Sequence, residues 1–167
     1  TAHMNFIDVP LNAYYYNAVQ WAVESEITSG TSATRFSPGN ACTRAQVVTF
    51  LWRAAGCPEP TSNYNPFVDV PANAYYRDAV LWAAEEGITT GVSSNRFAPN
   101  ATVTRGQTVA FLWRWDGKPD AEKRSSFRDV PANAYYSDAV SWAVEMDITK
   151  GTSSTAFSPG KTCTRAQ

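Results

Sequence analysis

An internal repeat constrains this chain more than any other feature of its sequence. Closely similar stretches begin at Phe6, Phe67 and Phe127, so the offsets between them are 61 and 60 residues. A period of this length is typical of a supersecondary unit that buries its apolar face against neighbouring copies of itself. We therefore expect any functional site to recur at matching positions of the three units.

Bulk composition excludes several classes of protein. Hydrophobic residues make up 44% of the chain, which is enough apolar material for a packed core and argues against wholesale disorder. The 14 basic and 15 acidic residues give a net charge of −1, whereas a general nucleic-acid binder carries a basic stripe. No apolar run approaches the roughly 18 residues of a membrane span, so we predict no membrane insertion.

Each unit predicts a first helix that follows an Asp-Val-Pro turn. The proline keeps the preceding residue extended and ends any regular element before it. In the second unit Asn73 is the predicted N-cap, while Ala79, Trp82 and Ala83 have the i, i+3, i+4 spacing of an apolar helix face. The tryptophans at this position are expected in the core: Trp21, Trp82 and Trp142.

A polar loop follows the first helix. Gly87 suits the left-handed position just after a helix, and its counterparts Glu26 and Asp147 predict less regular helix ends. Glycines further along each loop indicate a positive φ or a close approach to the backbone: Gly30, Gly91 and Gly151. Three phenylalanines are predicted to fix the loops to the core: Phe36, Phe97 and Phe157.

The second helix begins with a capping box at residues 43–46. The hydroxyl of Thr43 caps the N3 amide, and the N3 residue Gln46 reaches back to the amide of the threonine. The same pattern recurs at residues 104–107 and 164–167. The apolar surface that follows is wide enough for a central helix with neighbours on more than one side.

The repeats predict a mainly α-helical fold built from helix-loop-helix units. The predicted organisation is a lead-in at residues 1–5, repeat 1 at 6–56, a linker at 57–66, repeat 2 at 67–117, a linker at 118–126 and repeat 3 at 127–167. Residues 1–4 look like a cloning remnant. Because the sequence stops inside the third capping box, repeat 3 is expected to lack its second helix, through a cut or because further residues follow. Apolar surface uncovered there would favour a dimer or local disorder.

Four ordered motifs together resemble S-layer homology repeats. They are Phe-x-Asp-Val-Pro, Ile-Thr-x-Gly, Phe-x-Pro and Thr-Arg-Ala-Gln, and the resemblance covers residues 6–167. It implies a pseudo-threefold helical assembly with second helices at the centre and grooves between units. It also implies an extracellular module that holds a secreted protein to the bacterial cell wall. The implied partner is a secondary cell-wall polysaccharide carrying pyruvate ketals, or peptidoglycan in some bacteria.

One departure from the pattern of that family matters. The usual motif is Thr-Arg-Ala-Glu, but here the fourth residue is Gln46, Gln107 or Gln167, and Gly106 also replaces the alanine in repeat 2. Glutamine still satisfies the capping box, so the fold is unaffected, while three formal negative charges are absent from the helix starts. We hypothesise that this change either strengthens anion binding or marks a different wall polymer.

Candidate ligand-binding residues cluster at the starts of the second helices, because helix N-termini favour anions. An arginine at N1 offers a fork that matches a carboxylate. Loop cations lie just upstream, and Lys161 stands in for the loop arginine in repeat 3. The candidates are Arg44, Arg105, Arg165, Gln46, Gln107, Gln167, Gly30, Gly91, Gly151, Arg35, Arg96 and Lys161.

Each of these assignments has an alternative explanation that involves no ligand. The alternative for the N1 arginines is that they are simply solvated or paired with aspartates, namely Asp8, Asp69 and Asp129. The loop glycines are explained equally well by turn geometry. Three tyrosines are candidates for stacking on sugars, although helix-face aromatics are more often core: Tyr14, Tyr75 and Tyr135.

No catalytic constellation is evident, and no metal or cofactor is predicted. The only histidine is His3, which removes histidine-based triads and most metal sites. Cys42 and Cys57 flank the second helix and are too far apart to form a disulfide with each other. All three cysteines, including Cys163, are interpreted as small buried apolar residues. A disulfide between repeats is left open. The alternatives to a wall anchor are a protein-interaction module, a direct peptidoglycan binder and a structural spacer.

Overall fold

The computed structural model describes residues 4–167, and His3 with the two residues before it lies outside the described part. Five helices follow one another: α1 (Tyr16–Glu24), α2 (Arg44–Ala54), α3 (Arg77–Glu85), α4 (Arg105–Trp115) and α5 (Ser137–Glu145). Extended pairing within residues 4–167 is limited to isolated bridges, which confirms the mainly helical fold. None of these five helices is long and apolar enough to cross a bilayer.

The second helix of each repeat packs against the first helix of the next repeat. Helix α2 lies against α3 and α4 lies against α5, with α2 and α4 also in contact. Buried side chains of α2 and α3 share one apolar cluster, and those of α4 and α5 share another. The core therefore runs between repeats, as the repeat pattern predicted.

Both complete second helices begin with the predicted capping box. The amide of Gln46 donates to Thr43 Oγ1 at 3.1 Å, and the amide of Thr43 donates to Gln46 Oε1 at 2.9 Å. Thr104 and Gln107 make the same two hydrogen bonds, at 3.1 and 3.0 Å. These bonds satisfy amides that would otherwise be unpaired at the helix start.

A ring of backbone hydrogen bonds closes the three repeats around a pseudo-threefold axis. The amide of Cys42 donates to the carbonyl of Cys163 at 2.9 Å, Cys163 donates to Val103 at 2.9 Å, and Val103 donates to Cys42 at 2.8 Å. The thiols of Cys42 and Cys163 are free and buried, and burial raises the pKa of Cys42 to about 12. The same prediction of burial is wrong for Cys57, which is exposed because it lies just after the end of α2.

The tryptophans of the first helices do not share one environment. Trp82 and Trp142 are 5% and 6% exposed, as predicted, but Trp21 is 59% exposed. The prediction of a core position is wrong for Trp21 because, within the described residues, no second helix packs against α1. The face that α2 and α4 cover in repeats 2 and 3 is therefore open in repeat 1.

The first helices start later than predicted. Asn73 is not the N-cap of α3, because two successive turns occupy residues 71–77. The amide of Ala74 donates to Pro71 and the amide of Arg77 donates to Ala74, at 3.1 and 3.2 Å. Tyr76 takes the cap position without a side-chain hydrogen bond.

The first helices of the three repeats end in the same way. The prediction that two of them have less regular ends is therefore wrong. Gly87, Glu26 and Asp147 have φ values of 72°, 59° and 58°. In each repeat the following isoleucine amide closes the same turn at 2.8 Å. Glu26 and Asp147 thus adopt a left-handed conformation that glycine adopts without steric cost.

The aspartate of each Asp-Val-Pro turn clamps the loop that precedes the second helix. Asp69 accepts hydrogen bonds from the amides of Phe97 and Ala98, at 2.9 and 2.8 Å. Burial alone would raise the pKa of this carboxyl, but the two amide donors hold the pKa below its usual value. Asp8 and Asp129 make the same pair of bonds. The phenylalanine so held is buried in every repeat, as predicted.

Replacing the clamp should destabilise the protein. We expect Asp69→Ala to lower the free energy of unfolding by about 2 kcal/mol, because two charge-assisted hydrogen bonds are lost. Urea denaturation measures this change, with the more exposed Asp78→Ala as control at less than about 0.5 kcal/mol. The lowered pKa implies a contribution that is present above about pH 4 and lost as the pH falls through the folded pKa. Equal stability of Asp69→Ala and wild type at pH 7 would contradict the clamp.

A glycine at the end of α5 should stabilise the protein. Asp147 has a φ of 58° and is exposed, so Asp147→Gly removes a steric cost and is expected to raise the free energy of unfolding by about 0.5–1 kcal/mol. The matched control is Asp116→Gly, at an exposed residue with a φ of −76°, which should give no gain. Thermal and urea unfolding measure both variants. A loss of stability in Asp147→Gly would refute this account of the helix end.

Candidate functional site

The arginine after each capping threonine reaches into the neighbouring repeat. Its Nε donates to the carbonyl of the buried loop phenylalanine there, over distances of 2.8 Å (Arg44 to Phe97), 2.9 Å (Arg105 to Phe157) and 2.8 Å (Arg165 to Phe36). Each guanidinium also lies over that phenylalanine ring, with Cζ 4.7–4.9 Å from the ring centroid. The contacts run from repeat 1 to 2, from 2 to 3 and from 3 back to 1.

These arginines are neither freely solvated nor paired with aspartates. Arg44 is 4% exposed, and the one salt bridge recorded among residues 4–167 joins Arg77 to Asp78 on the surface. The hydrogen bond to the phenylalanine carbonyl uses only Nε, so it does not involve the N–H groups of the two terminal nitrogens of each guanidinium. Each N1 arginine therefore uses the Nε edge of its guanidinium to join two repeats, and the edge with the two terminal nitrogens is not used in that contact.

The backbone amides at the helix starts are occupied by protein carbonyls. At the start of α2 the amide of Arg44 donates to Ala101 at 2.9 Å and the amide of Ala45 donates to Pro99 at 3.0 Å. The start of α4 makes the same two bonds to repeat 3. The expectation that these amides bind an anion is wrong, because all of the first-turn donors already have partners.

Two matched grooves lie beside the second helices. Groove 1 encloses about 290 Å³ and is lined by Thr28, Ser29, Gly30, Thr31, Gln46, Thr49, Phe50, Arg53, Tyr75 and Arg165. Groove 2 encloses about 340 Å³ and is lined by Thr89, Thr90, Gly91, Val92, Gln107, Ala110, Phe111, Arg114, Tyr135 and Arg44. In both grooves one repeat supplies the loop and the helix, the next supplies the tyrosine, and the remaining repeat supplies the N1 arginine.

Each groove contains two arginines and no carboxylate. Groove 2 brings Arg44 and Arg114 together; burial lowers the pKa of Arg44, and the neighbouring charge of Arg114 acts in the same direction. Arginine nevertheless stays protonated in proteins. Arg114 is held by a hydrogen bond from Nη1 to the carbonyl of Ile88 at 3.1 Å. Each groove is thus a fixed cationic surface within a chain of net charge −1.

The second arginine of each groove was not predicted from the sequence. Arg53 in groove 1 matches Arg114 in groove 2, and Nη1 of Arg53 donates to Ile27 at 3.1 Å. A signal was present, because each arginine follows the capping-box glutamine by seven residues and so lies on the same helix face two turns later. The tyrosines of the grooves, Tyr75 and Tyr135, are 63% and 57% exposed rather than core.

The other predicted site residues are distributed unevenly. The loop cations Arg35, Arg96 and Lys161 are exposed and lie outside the lining of grooves 1 and 2. Arg35 and Arg96 instead lie near the clamp carboxylates of Asp8 and Asp69, whose pKa values their charge helps to lower after the larger effects of burial and amide hydrogen bonds. Arg105 of repeat 2 and Gln167 of repeat 3 line a smaller cavity of about 80 Å³ with Thr149, two residues before Gly151.

The loop glycines are required by packing. Gly91 has a φ of 85°, and a Cβ atom on it would lie 2.5 Å from the carbonyl oxygen of Arg96 and 2.6 Å from the ring of Phe67. Gly30 and Gly151 meet the same obstacles in their repeats. Loop geometry therefore accounts for these glycines, and that geometry also brings Gly30 and Gly91 to the groove walls.

Comparison with known proteins agrees with these repeats. The family model described as S-layer homology domain matches residues 5–48, 66–109 and 126–167. The chain is 32% identical to an endoglucanase of Bacillus sp. (strain KSM-635), over 97% of this chain and 18% of that protein. It is 24% identical to an S-layer protein of Bacillus thuringiensis subsp. finitimus, over 99% of this chain and 20% of the relative.

A third relative is the surface-layer 125 kDa protein of Lysinibacillus sphaericus, 30% identical over 91% of this chain and 12% of the relative. The chain thus spans about a fifth or less of the length of each of these proteins. Each matched segment begins one residue before one of the three repeats, and together the segments cover most of the residues. The chain therefore belongs to the S-layer homology domain family.

Proposed function

We propose that this chain is a non-catalytic cell-surface anchor that binds an anionic polysaccharide of the bacterial cell wall in grooves 1 and 2. The observation that carries the proposal is the pair of arginines in each groove, unaccompanied by any carboxylate. Membership in an extracellular, cell-wall-associated family supports it, as do relatives named as S-layer and surface-layer proteins. The endoglucanase relative is longer than this chain several times over, so its name describes more than these repeats.

The chemistry of the grooves suits a carboxylate on a sugar. The N1 arginine is oriented by its bond to the phenylalanine carbonyl and offers its terminal nitrogens to a carboxylate such as that of a pyruvate ketal. The second arginine, which belongs to the helix that lines the groove, supplies a further donor. In the capping box, Gln46 uses its Oε1 as acceptor, so its amide nitrogen is the atom left to donate to a ligand.

The tyrosine of each groove supplies an apolar surface for the sugar ring. Tyr75 and Tyr135 are exposed along the groove and packed edge-on against Tyr76 and Tyr136, with centroids 5.0 Å apart. That packing restrains a side chain which would otherwise lose conformational entropy on binding. A polymer that engages both grooves at once gains avidity beyond the affinity of either groove.

Two other ligands remain as outcomes of the test rather than as parts of the proposal. If peptidoglycan itself is the ligand, binding to sacculi does not depend on the secondary polysaccharide. If the ligand is a protein, the chain does not bind wall carbohydrate. Co-sedimentation with purified wall sacculi, before and after chemical removal of the secondary polysaccharide, separates them. We expect binding that disappears after removal.

The second arginines give the sharpest test of the grooves. We expect Arg53→Ala and Arg114→Ala each to weaken binding to intact sacculi about tenfold, and the double variant to lose binding, because a charge-assisted hydrogen bond is lost in each groove. Arg77→Ala is the control, since Arg77 lies outside both grooves beside Asp78. Binding by the double variant equal to wild type, or wild-type binding that survives removal of the polysaccharide, would refute the proposal.

The capping-box glutamines should allow tighter anion binding than the glutamates typical of the family at the same positions. We expect Gln46→Glu to weaken binding at groove 1 about tenfold, since a carboxylate there pairs with the arginines and repels the ligand. Stability should not change, because glutamate also satisfies the capping box. Gln20→Glu on the surface of α1 adds the same charge away from the grooves and serves as control. Unchanged affinity in Gln46→Glu would exclude this role and favour a difference in the polymer.

A further inference from the structure

Two free thiols lie at the pseudo-threefold axis. Each repeat contributes a short extended segment there, and the segments pair through isolated antiparallel bridges, between Ala41 and Thr164, Thr43 and Thr102, and Thr104 and Thr162. The middle residues of the three segments are Cys42, Val103 and Cys163, which are 3%, 0% and 6% exposed. Two of the three axial positions are therefore buried thiols, and both are free.

Cys42 and Cys163 lie directly opposite each other. Because Ala41 pairs with Thr164 in an antiparallel bridge, the residue after Ala41 faces the residue before Thr164. The amide of Cys42 accordingly donates to the carbonyl of Cys163 at 2.9 Å. Opposed residues that share such a bond have Cα atoms about 5.5 Å apart. That separation lies within the range of about 4.4–6.8 Å that a disulfide spans.

The two cysteine side chains leave their segments on the same side. Side chains alternate between the two faces of an extended segment. Ala41 and Thr162, which precede the two cysteines, are exposed, whereas Cys42 and Cys163 are buried in one apolar cluster. Both sulfur atoms therefore lie in the core beneath the axis. Burial raises the pKa of Cys42, and the nearby Cys163 thiol acts in the same direction.

We propose that Cys42 and Cys163 are a disulfide-forming pair that is oxidised by a small-molecule disulfide and covalently joins repeat 1 to repeat 3. The chain belongs to an extracellular, cell-wall-associated family, and disulfides form and persist outside the cell. Val103 at the third axial position leaves no odd thiol at the axis. Cys57 is exposed beyond the far end of α2 and is not part of the pair.

The exchange balances with the small disulfide as its only other reactant. The thiolate of Cys163 attacks one sulfur of the small disulfide, breaks its S–S bond and releases one small thiolate. The thiolate of Cys42 then attacks the Cys163 sulfur of the mixed disulfide, forms the bond between the repeats and releases the second small thiolate. The two small thiolates take up the protons of the two cysteines. The protein sulfurs are thereby oxidised and the reagent is reduced to two thiols.

The surroundings of the two thiols set the order of attack and its rate. Cys163 lines the cavity of about 80 Å³ beside Arg105 and Thr108, so it is the thiol closer to an entering reagent. Burial raises the pKa of Cys163 too, but the Thr108 hydroxyl and the charge of Arg105 act in the opposite direction. Because only a thiolate attacks a disulfide, oxidation is slow in the folded chain and faster while the chain folds.

The test therefore refolds the reduced full chain in a buffer of hydroxyethyl disulfide and 2-mercaptoethanol. Thiols that remain are alkylated in urea, and tryptic peptides are mapped without reduction. Trypsin places the three cysteines on separate peptides, at residues 36–44, 54–77 and 162–165. We expect the first and third peptides to be linked, with Cys57 either alkylated or carrying a mixed disulfide. The Cys57→Ser chain should form the same link.

Thermal unfolding of the Cys57→Ser chain measures the effect of the bond. Residues 42 and 163 are 121 positions apart, and a cross-link over so long a loop restricts the unfolded chain strongly. We expect the oxidised chain to melt about 5–15 °C above the same chain in reductant. The matched control adds Cys42→Val, which places the axial residue of repeat 2 in repeat 1 and should melt alike in both buffers. Cys163→Val is the second such control.

Three outcomes would overturn the proposal. The first is a folded, oxidised chain in which both axial thiols are still alkylated or carry only mixed disulfides. The second is a predominant link that joins Cys57 to either axial cysteine. The third is an axial link that lowers the melting temperature, because the strain would show that the native positions of Cys42 and Cys163 do not suit a disulfide.

Discussion

The whole assembly depends on hydrogen bonds that pass from each repeat into the next. At the axis, Cys42, Val103 and Cys163 exchange backbone bonds in a closed cycle. Farther out, the first amides of each second helix and the Nε of its N1 arginine bind carbonyls of the following loop. Because donors at a helix start need partners wherever water is excluded, these contacts fix the order and the rotation of the repeats. The grooves are the spaces that this arrangement leaves between them.

The loop that receives those bonds is itself rigid for local reasons. The clamp carboxylate accepts hydrogen bonds from the amides of the phenylalanine and of the residue after it, and the phenylalanine side chain is buried. The carbonyl of Phe97 is thereby presented to Arg44 from a fixed position. Hydrogen bonds from one loop thus orient a guanidinium that belongs to another repeat. A side chain held in this way loses little conformational entropy when it binds a ligand.

Local patterns in the sequence predicted local structure well. The capping boxes, the buried loop phenylalanines and the helical repeat were all predicted correctly, since each depends on residues close together in the chain or on a repeated apolar spacing. The errors concern context. Trp21 has similar neighbours in sequence to Trp82 but lacks a second helix beside it. The chain passes Asn73 in a turn before helix α3 begins. The pairing of Arg44 with Arg114 joins residues 70 positions apart, so no single-repeat pattern contains it, although the seven-residue spacing from Gln107 to Arg114 offered a clue.

Each groove is assembled from all three repeats, and this has a consequence for how the protein reaches its working state. Groove 1 includes Arg165 and groove 2 includes Tyr135, both of which belong to repeat 3. A chain that is still being synthesised or exported does not possess groove 1 until repeat 3 has emerged and Arg165 has joined repeat 1. Binding at groove 1 thus depends on the presence of repeat 3, so a partly translocated chain that has released only repeats 1 and 2 lacks that groove.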